Sequence, residues 1–279
     1  AERLVRIAAG TTTPIDVGPL PLLFPNHASG WSVIGSRAIS VVSPDQLTAF
    51  DPSSNTTQFL ATVGSGTRTP QPFVASGSGY FRHTDSLYGV ELGLTDGTLA
   101  GTARLADLNA QPPPTWGVQY CAYGRFRGLA IFGAYWWDRG RILRTDATFV
   151  SDGTSSGTHR IADGMYWGLG TDIGGNFVFA TGDGSELWST DGSVAGSVHL
   201  LQPPGHVQSL TAVGARIFAV IEHNGRFELY LTDGRIWTLV AHLPGANSTF
   251  SPVRIGERIC FRVWEPGTTA LWVSDGTAA

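Results

Sequence analysis

Several tryptophan and tyrosine side chains lie in the irregular stretches of this chain, between segments in which apolar and polar residues alternate. With neighbouring charged residues they form a candidate ligand-binding set: Trp116, Trp136, Trp137, Asp138, Arg139, Tyr166 and Trp167. Flat rings offer a large contact area and an arginine fork donates in a fixed geometry, so this set suits a sugar face or a peptide. The alternative is that the rings wedge between packed sheets. Because adjacent residues of a strand face opposite ways, one of Trp136 and Trp137 must leave the core side.

The histidines are the second group with chemical potential, and they are scattered: His27, His83, His159, His199, His206, His223 and His242. No HxxxH or HxH pair occurs, so the sequence has no local metal signature and we expect no cofactor. If the protein is an enzyme, the candidate catalytic residues are His27, His83, His206 and His223 with Asp138. They would act as a general base or hold a divalent metal. Surface or capping histidines are the alternative.

Carboxylates are few in the same stretches: Asp16, Asp45, Asp85, Asp138, Asp183 and Glu222. Two of them about 5 to 10 Å apart would permit glycoside hydrolysis, but the sequence does not fix that separation. No GxSxG motif occurs. All 18 basic residues are arginines, which excludes Schiff-base chemistry and a Walker-type lysine.

Charge and hydropathy exclude further classes of partner. The net charge of -4 gives no basic surface for a nucleic acid. No apolar run approaches the roughly 18 residues of a membrane-spanning helix, so no membrane span is expected. We expect a secreted or cell-surface protein from which a signal peptide has been removed.

A short phrase recurs five times and organises the chain. It reads LTDGTLAGT at 94–102, VSDGTSSGT at 150–158, STDGSVAGS at 189–197, LTDGR at 231–235 and VSDGT at 273–277. Its aspartates lie 56, 39, 42 and 42 residues apart. A period near 40 to 45 residues is typical of four-stranded propeller blades. Because Gly tolerates positive φ and Asp accepts from nearby N–H groups, these aspartates are interpreted as turn formers.

Alternating segments separated by Gly turns resolve each period into strands, most clearly at 208–243. The sequence therefore predicts an all-β fold: one six-bladed β-propeller domain, 1–279, of four-stranded antiparallel blades. The predicted blades are 31–63, 73–108, 118–163, 166–201, 208–243 and 250–279.

The last blade holds only three strands, and the missing strand is predicted at the other end of the chain. The final VSDGTAA, followed by the initial AERLVRIA, is similar to VSDGTSSGTHRIAD at 150–163. Residues 2–9 are therefore predicted to pair with the last three strands and close the ring, which would hide sheet edges. Cys121 and Cys260 then fall in opposite blades, too far apart for a disulfide, and are expected to be free buried thiols.

The phrase resembles the bacterial repeat family written ELWxTDGTxxGTxxVxDI, which occurs in tandem in secreted or surface proteins. The most similar copies are ELWSTDGSVAGSVHLL at 186–201 and ELGLTDGTLAGTARLADL at 91–108. Blade 1 has Asp51-Pro52 in place of Asp-Gly, and blade 5 lacks the second Gly-Thr. The resemblance implies a blade and no particular activity.

Function is expected in the loops of one face, around the channel mouth. These loops, including a 21-residue stretch at 10–30, differ in length and chemistry, which favours one asymmetric site over a site repeated in every blade. The sequence predicts a secreted binding module that recognises a glycan or a protein partner. The alternative is a lyase or hydrolase with its active site at the channel mouth.

Overall fold

The computed structural model of the protein describes residues 3–6, 15–19, 32–42, 45–63, 72–85, 87–108, 118–137, 143–244, 252–265 and 268–277. Every regular element in these ranges is a β-strand, which confirms the predicted all-β class. No described residue belongs to a helix long and apolar enough to cross a membrane. By its internal contacts the chain divides into two compact units, 1–117 and 118–279.

The first unit contains a hairpin and two four-stranded sheets. The hairpin pairs β1 (Arg3–Arg6) with β2 (Ile15–Pro19). Sheet 1 consists of β3 (Ser32–Ile34), β4 (Arg37–Val42), β5 (Gln46–Asp51) and β6 (Thr56–Thr62). Sheet 2 consists of β7 (Phe73–Ala75), β8 (Ser78–Asp85), β9 (Gly89–Thr95) and β10 (Ala103–Ala106).

The second unit contains four sheets. Sheet 3 consists of β11 (Gln119–Phe126), β12 (Leu129–Trp137), β13 (Arg144–Ser151) and β14 (His159–Asp163). Sheet 4 consists of β15 (Tyr166–Ile173), β16 (Asn176–Thr181), β17 (Glu186–Thr190) and β18 (Val198–His199). Sheet 5 consists of β19 (His206–Val213), β20 (Arg216–His223), β21 (Arg226–Thr232) and β22 (Trp237–Leu243). Sheet 6 consists of β23 (Val253–Ile255), β24 (Arg258–Glu265) and β25 (Thr268–Ser274).

Each of the six sheets is an antiparallel meander whose strands follow chain order, and each lies where the repeat predicts a blade. Consecutive sheets of the second unit share a hydrophobic core because alternate side chains of a strand face opposite neighbours. In β16, Phe177 and Phe179 pack with Phe126 of sheet 3, whereas Val178 packs with Ile221 of sheet 5. The result is a propeller-like succession of sheets packed face to face.

The repeated Asp-Gly phrase forms the turn between the third and fourth strands. In sheet 3, Asp152 accepts hydrogen bonds from the backbone N–H and the hydroxyl of Thr154, at 2.8 and 2.7 Å. Those bonds, first of all the one from the hydroxyl, hold the pKa of Asp152 below its usual value. A Cβ on Gly157 would lie 2.1 Å from the Asp152 carboxylate, so the second glycine is required sterically. The aspartate is thus a turn former, as predicted.

The same turn hydrogen bonds form in sheet 1, whose sequence departs from the phrase, and in sheet 6, which carries the last copy of the phrase. In sheet 1, Asp51 accepts from the backbone and hydroxyl of Ser53, although proline replaces glycine. In sheet 6, Asp275 accepts from the backbone and hydroxyl of Thr277. Sheet 6 therefore forms the start of a connection that leads, in the other sheets, to a fourth strand.

The predicted ring closure is not confirmed. β1 pairs with β2 over Arg3–Arg6, and the described part of sheet 6 has three strands. A hairpin between segments so close in sequence costs little loop-closure entropy, which favours this local pairing. Cys260 is a buried free thiol, as predicted; the side chain of Cys121 lies outside the described residues.

Candidate functional site

A β-bulge of three residues at the start of sheet 4 exposes one of the predicted tryptophans. Tyr166 pairs with Thr181, and the next pair joins Gly170 to Phe179, so residues 167–169 oppose a single residue of β16. A bulge bends its strand and re-aims side chains. Trp167 consequently leaves the ladder with 50% of its surface exposed, as a ligand anchor requires.

Tyr166, predicted as a second anchor, is instead a core residue with 2% of its surface exposed. Its ring meets Phe177 and Phe179 edge-to-face at centroid distances of 6.1 and 6.0 Å. Burial raises the pKa of Tyr166 to about 12. Because this ring fills the space between sheets 3 and 4, it cannot contact a ligand at the surface.

Trp167 forms one wall of a cavity of about 210 Å³ at the junction of sheets 4 and 5. The cavity is lined by Trp167, Leu169, Ala180, Gly182, Asp183, Gly184, Val207 and Gln208. The β16–β17 turn contributes 182–184, and the first residues of β19 contribute the rest of the far side. The Val207 N–H donates to the Gly184 carbonyl over 2.9 Å and fixes the turn against β19.

Gly184 is required for this close approach. It has φ +92, and a Cβ there would lie 2.5 Å from the Val207 carbonyl oxygen. Backbone atoms cannot rotate away from such a contact as a flexible side chain can. The glycine therefore allows the turn to reach sheet 5 and places Asp183 at the cavity.

The polar groups of the cavity are a carboxylate and an amide. Asp183 accepts a hydrogen bond from the Ser185 N–H at 3.2 Å, and its second oxygen lies 3.2 Å from Nδ1 of His206. Hydrogen bonding by Ser185, and next the charge of His206, hold the pKa of Asp183 below its usual value. The Gln208 amide donates to Glu222 over 3.4 Å.

An exposed indole beside a carboxylate and an amide can offer a ligand one flat apolar surface and two polar partners. Of the residues in the cavity, the sequence had singled out Trp167 and Asp183. Gln208 was missed because a further bulge, between Val207 and Ser209, turns it outward.

A second polar cluster lies at the same end of the strands of sheet 5, and the sequence did not predict it. Glu228 is 7% exposed; it accepts a hydrogen bond from the Tyr230 hydroxyl at 2.9 Å, and Nδ1 of His242 lies 2.8 Å from its other carboxylate oxygen. Nδ1 of His223, a predicted catalytic residue, lies 3.6 Å from the same carboxylate. Burial, and next the Glu228 carboxylate, raise the pKa of Tyr230 to about 12. The cross-strand pair Glu228 and His242 could have been found only from the register of β21 and β22.

The predicted histidines have separate partners. His206 faces Asp183, whereas His223 faces Glu228. His83 lies in β8 of the first unit, where its ring meets Phe81 edge-on at 5.9 Å. Within the described ranges, no group of three or more His, Cys, Asp or Glu side chains could hold a metal ion.

The remaining predicted residues concern sheet 3 and the stretches outside the described residues. Trp136 is half-buried, 6.5 Å from Phe149 between ring centroids, and its neighbour Trp137 is exposed. One of the two rings therefore leaves the core side, as the alternation predicts. Four predicted residues lie outside the described ranges: His27, Trp116, Asp138 and Arg139.

A larger cavity, about 390 Å³, lies between sheets 5 and 6. Its walls include the apolar side chains of Leu229, Val240, Phe261 and Trp272. It adjoins β25, the last strand of the three-stranded sheet, on which Leu271 and Val273 are exposed.

Comparison with known proteins finds similar solved structures and no family. No protein-family model matches the chain, and no curated protein matches it significantly. The chain is similar to the computationally designed protein Ika8, with 12% identity, 88% of this chain and 70% of that chain covered, and a TM-score of 0.49. It is similar to BamB from Moraxella catarrhalis, with 10% identity, coverage of 87% and 68%, and a TM-score of 0.49.

A third similar structure comes from a study of two prolyl endopeptidases. The identity is 14% and the TM-score 0.51, with 88% of this chain covered. The chain spans 41% of the length of that endopeptidase. At this identity the likeness concerns the fold alone.

Proposed function

We propose that this protein is a secreted or cell-surface binding module of the ELWxTDGTxxGT repeat type and that it recognises a glycan through one asymmetric site. The observation that carries the proposal is the cavity at which exposed Trp167 meets Asp183 and Gln208. Its volume of about 210 Å³ is below the usual range for drug-sized ligands, and it suits one sugar ring. Glycan is favoured over a protein partner because the cavity is large enough for one small ring, whereas a specific protein interface extends over a surface of about 800 Å² on each partner.

Differences in local sequence between the sheets restrict the proposed site to sheet 4. The three-residue bulge with Trp167 belongs to sheet 4, whereas the corresponding bulge of sheet 5 contains only Gln208. The first strand of sheet 6 begins at Val253 and has a regular register. A lectin with one site in each blade would repeat the Trp-bearing bulge.

The experiment is titration of the purified protein with a panel of soluble oligosaccharides, followed by tryptophan fluorescence and calorimetry. Trp167→Ala is expected to abolish binding, and Trp167→Phe is expected to retain part of it because an aromatic face remains. Val194→Ala, at an exposed position in the Asp-Gly turn of sheet 4, is the control and leaves binding unchanged. Binding that survives in Trp167→Ala, or no binding by any oligosaccharide, would overturn the proposal.

We further infer that the six sheets are blades of one propeller domain that residues 2–9 close by pairing with β25. The Asp275 turn, the exposed side chains on β25 and the adjoining cavity support this closure. Deletion of residues 1–9 is then expected to accelerate hydrogen exchange at the amides of β25. Unchanged exchange in β25, with β1 paired only with β2, would contradict the closure.

A further inference from the structure

Asp183 is the one charged residue among those that line the Trp167 cavity. Asp183 lies in the cavity, and Glu222 adjoins it through the amide of Gln208. None of the residues that line the cavity is an arginine, and the chain contains no lysine. His206 is the cationic candidate in direct contact with Asp183, and it takes up one of the two carboxylate oxygens.

The carboxylate at the cavity is held in its charged form and stays accessible. The Ser185 N–H and His206 each engage one oxygen of Asp183, and a carboxylate offers about four acceptor sites, so acceptor capacity remains. Asp183 is ionised at neutral pH, as an aspartate at its ordinary value is, and its pKa is lowered further. Arg226 is exposed and pairs in register with His223, so it lies at the same end of the strands as Glu222, but it is not among the residues that line the cavity.

A carboxylate at this position would discriminate among sugars by their charge. A uronic acid or another anionic sugar would bring like charges together, which is unfavourable. A sugar with a free amine would form a charge-assisted hydrogen bond with Asp183, and such bonds are stronger than neutral ones. Its ammonium group would also interact favourably with the face of Trp167.

We propose that the Trp167 cavity selects an amino sugar with a free, protonated amine. This inference rests on the proposed function and names the class of glycan. The indole would hold the ring of the sugar, and Asp183 would read the amine. Both side chains line one cavity, so a single sugar ring can reach both.

Three trisaccharides with the same β-1,4-linked backbone test the proposal, since they differ only in the substituent at position 2. Glucosamine carries an ammonium group there, N-acetylglucosamine an amide and glucose a hydroxyl. We expect the glucosamine trimer to bind about fivefold more tightly than the other two, the upper range for an exposed ion pair. Raising the salt concentration should reduce this preference by screening.

Two variants separate the inference from the proposed function. Asp183→Asn keeps the shape and removes the charge, so it should abolish the preference and retain binding of the glucose trimer. Trp167→Ala should abolish binding of all three. Equal affinity for the three trimers, or an unchanged preference in Asp183→Asn, overturns the amino-sugar inference and leaves the glycan site intact. Failure of all three to bind overturns the amino-sugar inference, and failure of the whole oligosaccharide panel overturns the proposed function as well.

Discussion

Replacement of Gly184 by alanine tests whether the junction of sheets 4 and 5 depends on one backbone contact. An L-residue at positive φ costs about 1–2 kcal/mol. The Cβ would lie 2.5 Å from the Val207 oxygen and 2.8 Å from its nitrogen, so the turn must move. That movement would break the 2.9 Å hydrogen bond from Val207 N–H to Gly184, worth about 0.5–1.5 kcal/mol. The expected loss in free energy of unfolding is about 3 kcal/mol, since both effects act together.

Gly174 provides the matched control, because it also has a positive φ, +56, and a Cβ there meets nothing within 4 Å. Gly174→Ala should cost about 1 kcal/mol, the conformational part alone. Urea denaturation of the two variants measures the difference, and the melting temperature of Gly184→Ala should fall by about 6–12 °C. Equal destabilisation of the two variants would refute the close-contact reasoning. Gly184→Ala should also weaken oligosaccharide binding, because the displaced turn contains Asp183.

Three further outcomes follow from the described contacts. Tyr166→Ala should lower the free energy of unfolding by about 3–5 kcal/mol, whereas Trp167→Ala should change it by less than about 1 kcal/mol. Equal losses in the two variants would contradict the assignment of Tyr166 to the core and of Trp167 to the surface. The pKa of Tyr166 and the pKa of Tyr230 are both raised to about 12, so the stability that these phenols contribute is present below pH 10.0 and lost as pH rises toward 12. Ultraviolet titration should therefore show two tyrosines that ionise later than the others. Ionisation of every tyrosine near pH 10.0 would contradict the burial of these two. The pKa of Asp152 is lowered, first by the Thr154 hydroxyl, so its stabilising effect is present above pH 3.8 and lost at lower pH. Acid unfolding of Asp152→Asn should therefore depend less on pH, and an unchanged profile would speak against the turn hydrogen bonds.

The positions of the sheets could be predicted because the repeated turn is made by local chemistry. Asp152, Thr154 and Gly157 complete it within one short segment, so the phrase alone marks where a third strand ends. The pairing of residues 2–9 is a different kind of question. It depends on competition between a nearby partner, β2, and a distant one, and no local pattern decides that competition.

The residues that meet at the Trp167 cavity could be predicted only in part, because β-bulges interrupt the alternation on which the prediction depends. Trp167 and Tyr166 are neighbours, and the bulge leaves one exposed and the other in the core. Gln208 is turned outward by the bulge of β19, and the pairing of Glu228 with His242 depends on another register shift in β21. Such shifts depend on how the strands pack, and the side-chain pattern of a single strand does not contain them.

The repeated turns and the proposed site lie at opposite ends of the strands, which explains how a repeat protein can have one such site. The Asp-Gly turns lie where the third strand ends, and their hydrogen bonds are nearly the same in sheets 2, 3 and 4. Trp167, Asp183 and His206 lie at the opposite end, where the first strand begins and the second ends. Because the turn bonds form within one short segment, residues at the opposite end of the strands can differ from sheet to sheet without disturbing them. In sheet 4 a bulge of three residues forms one wall of the Trp167 cavity, while the turn of that sheet keeps the same hydrogen bonds as those of sheets 2 and 3.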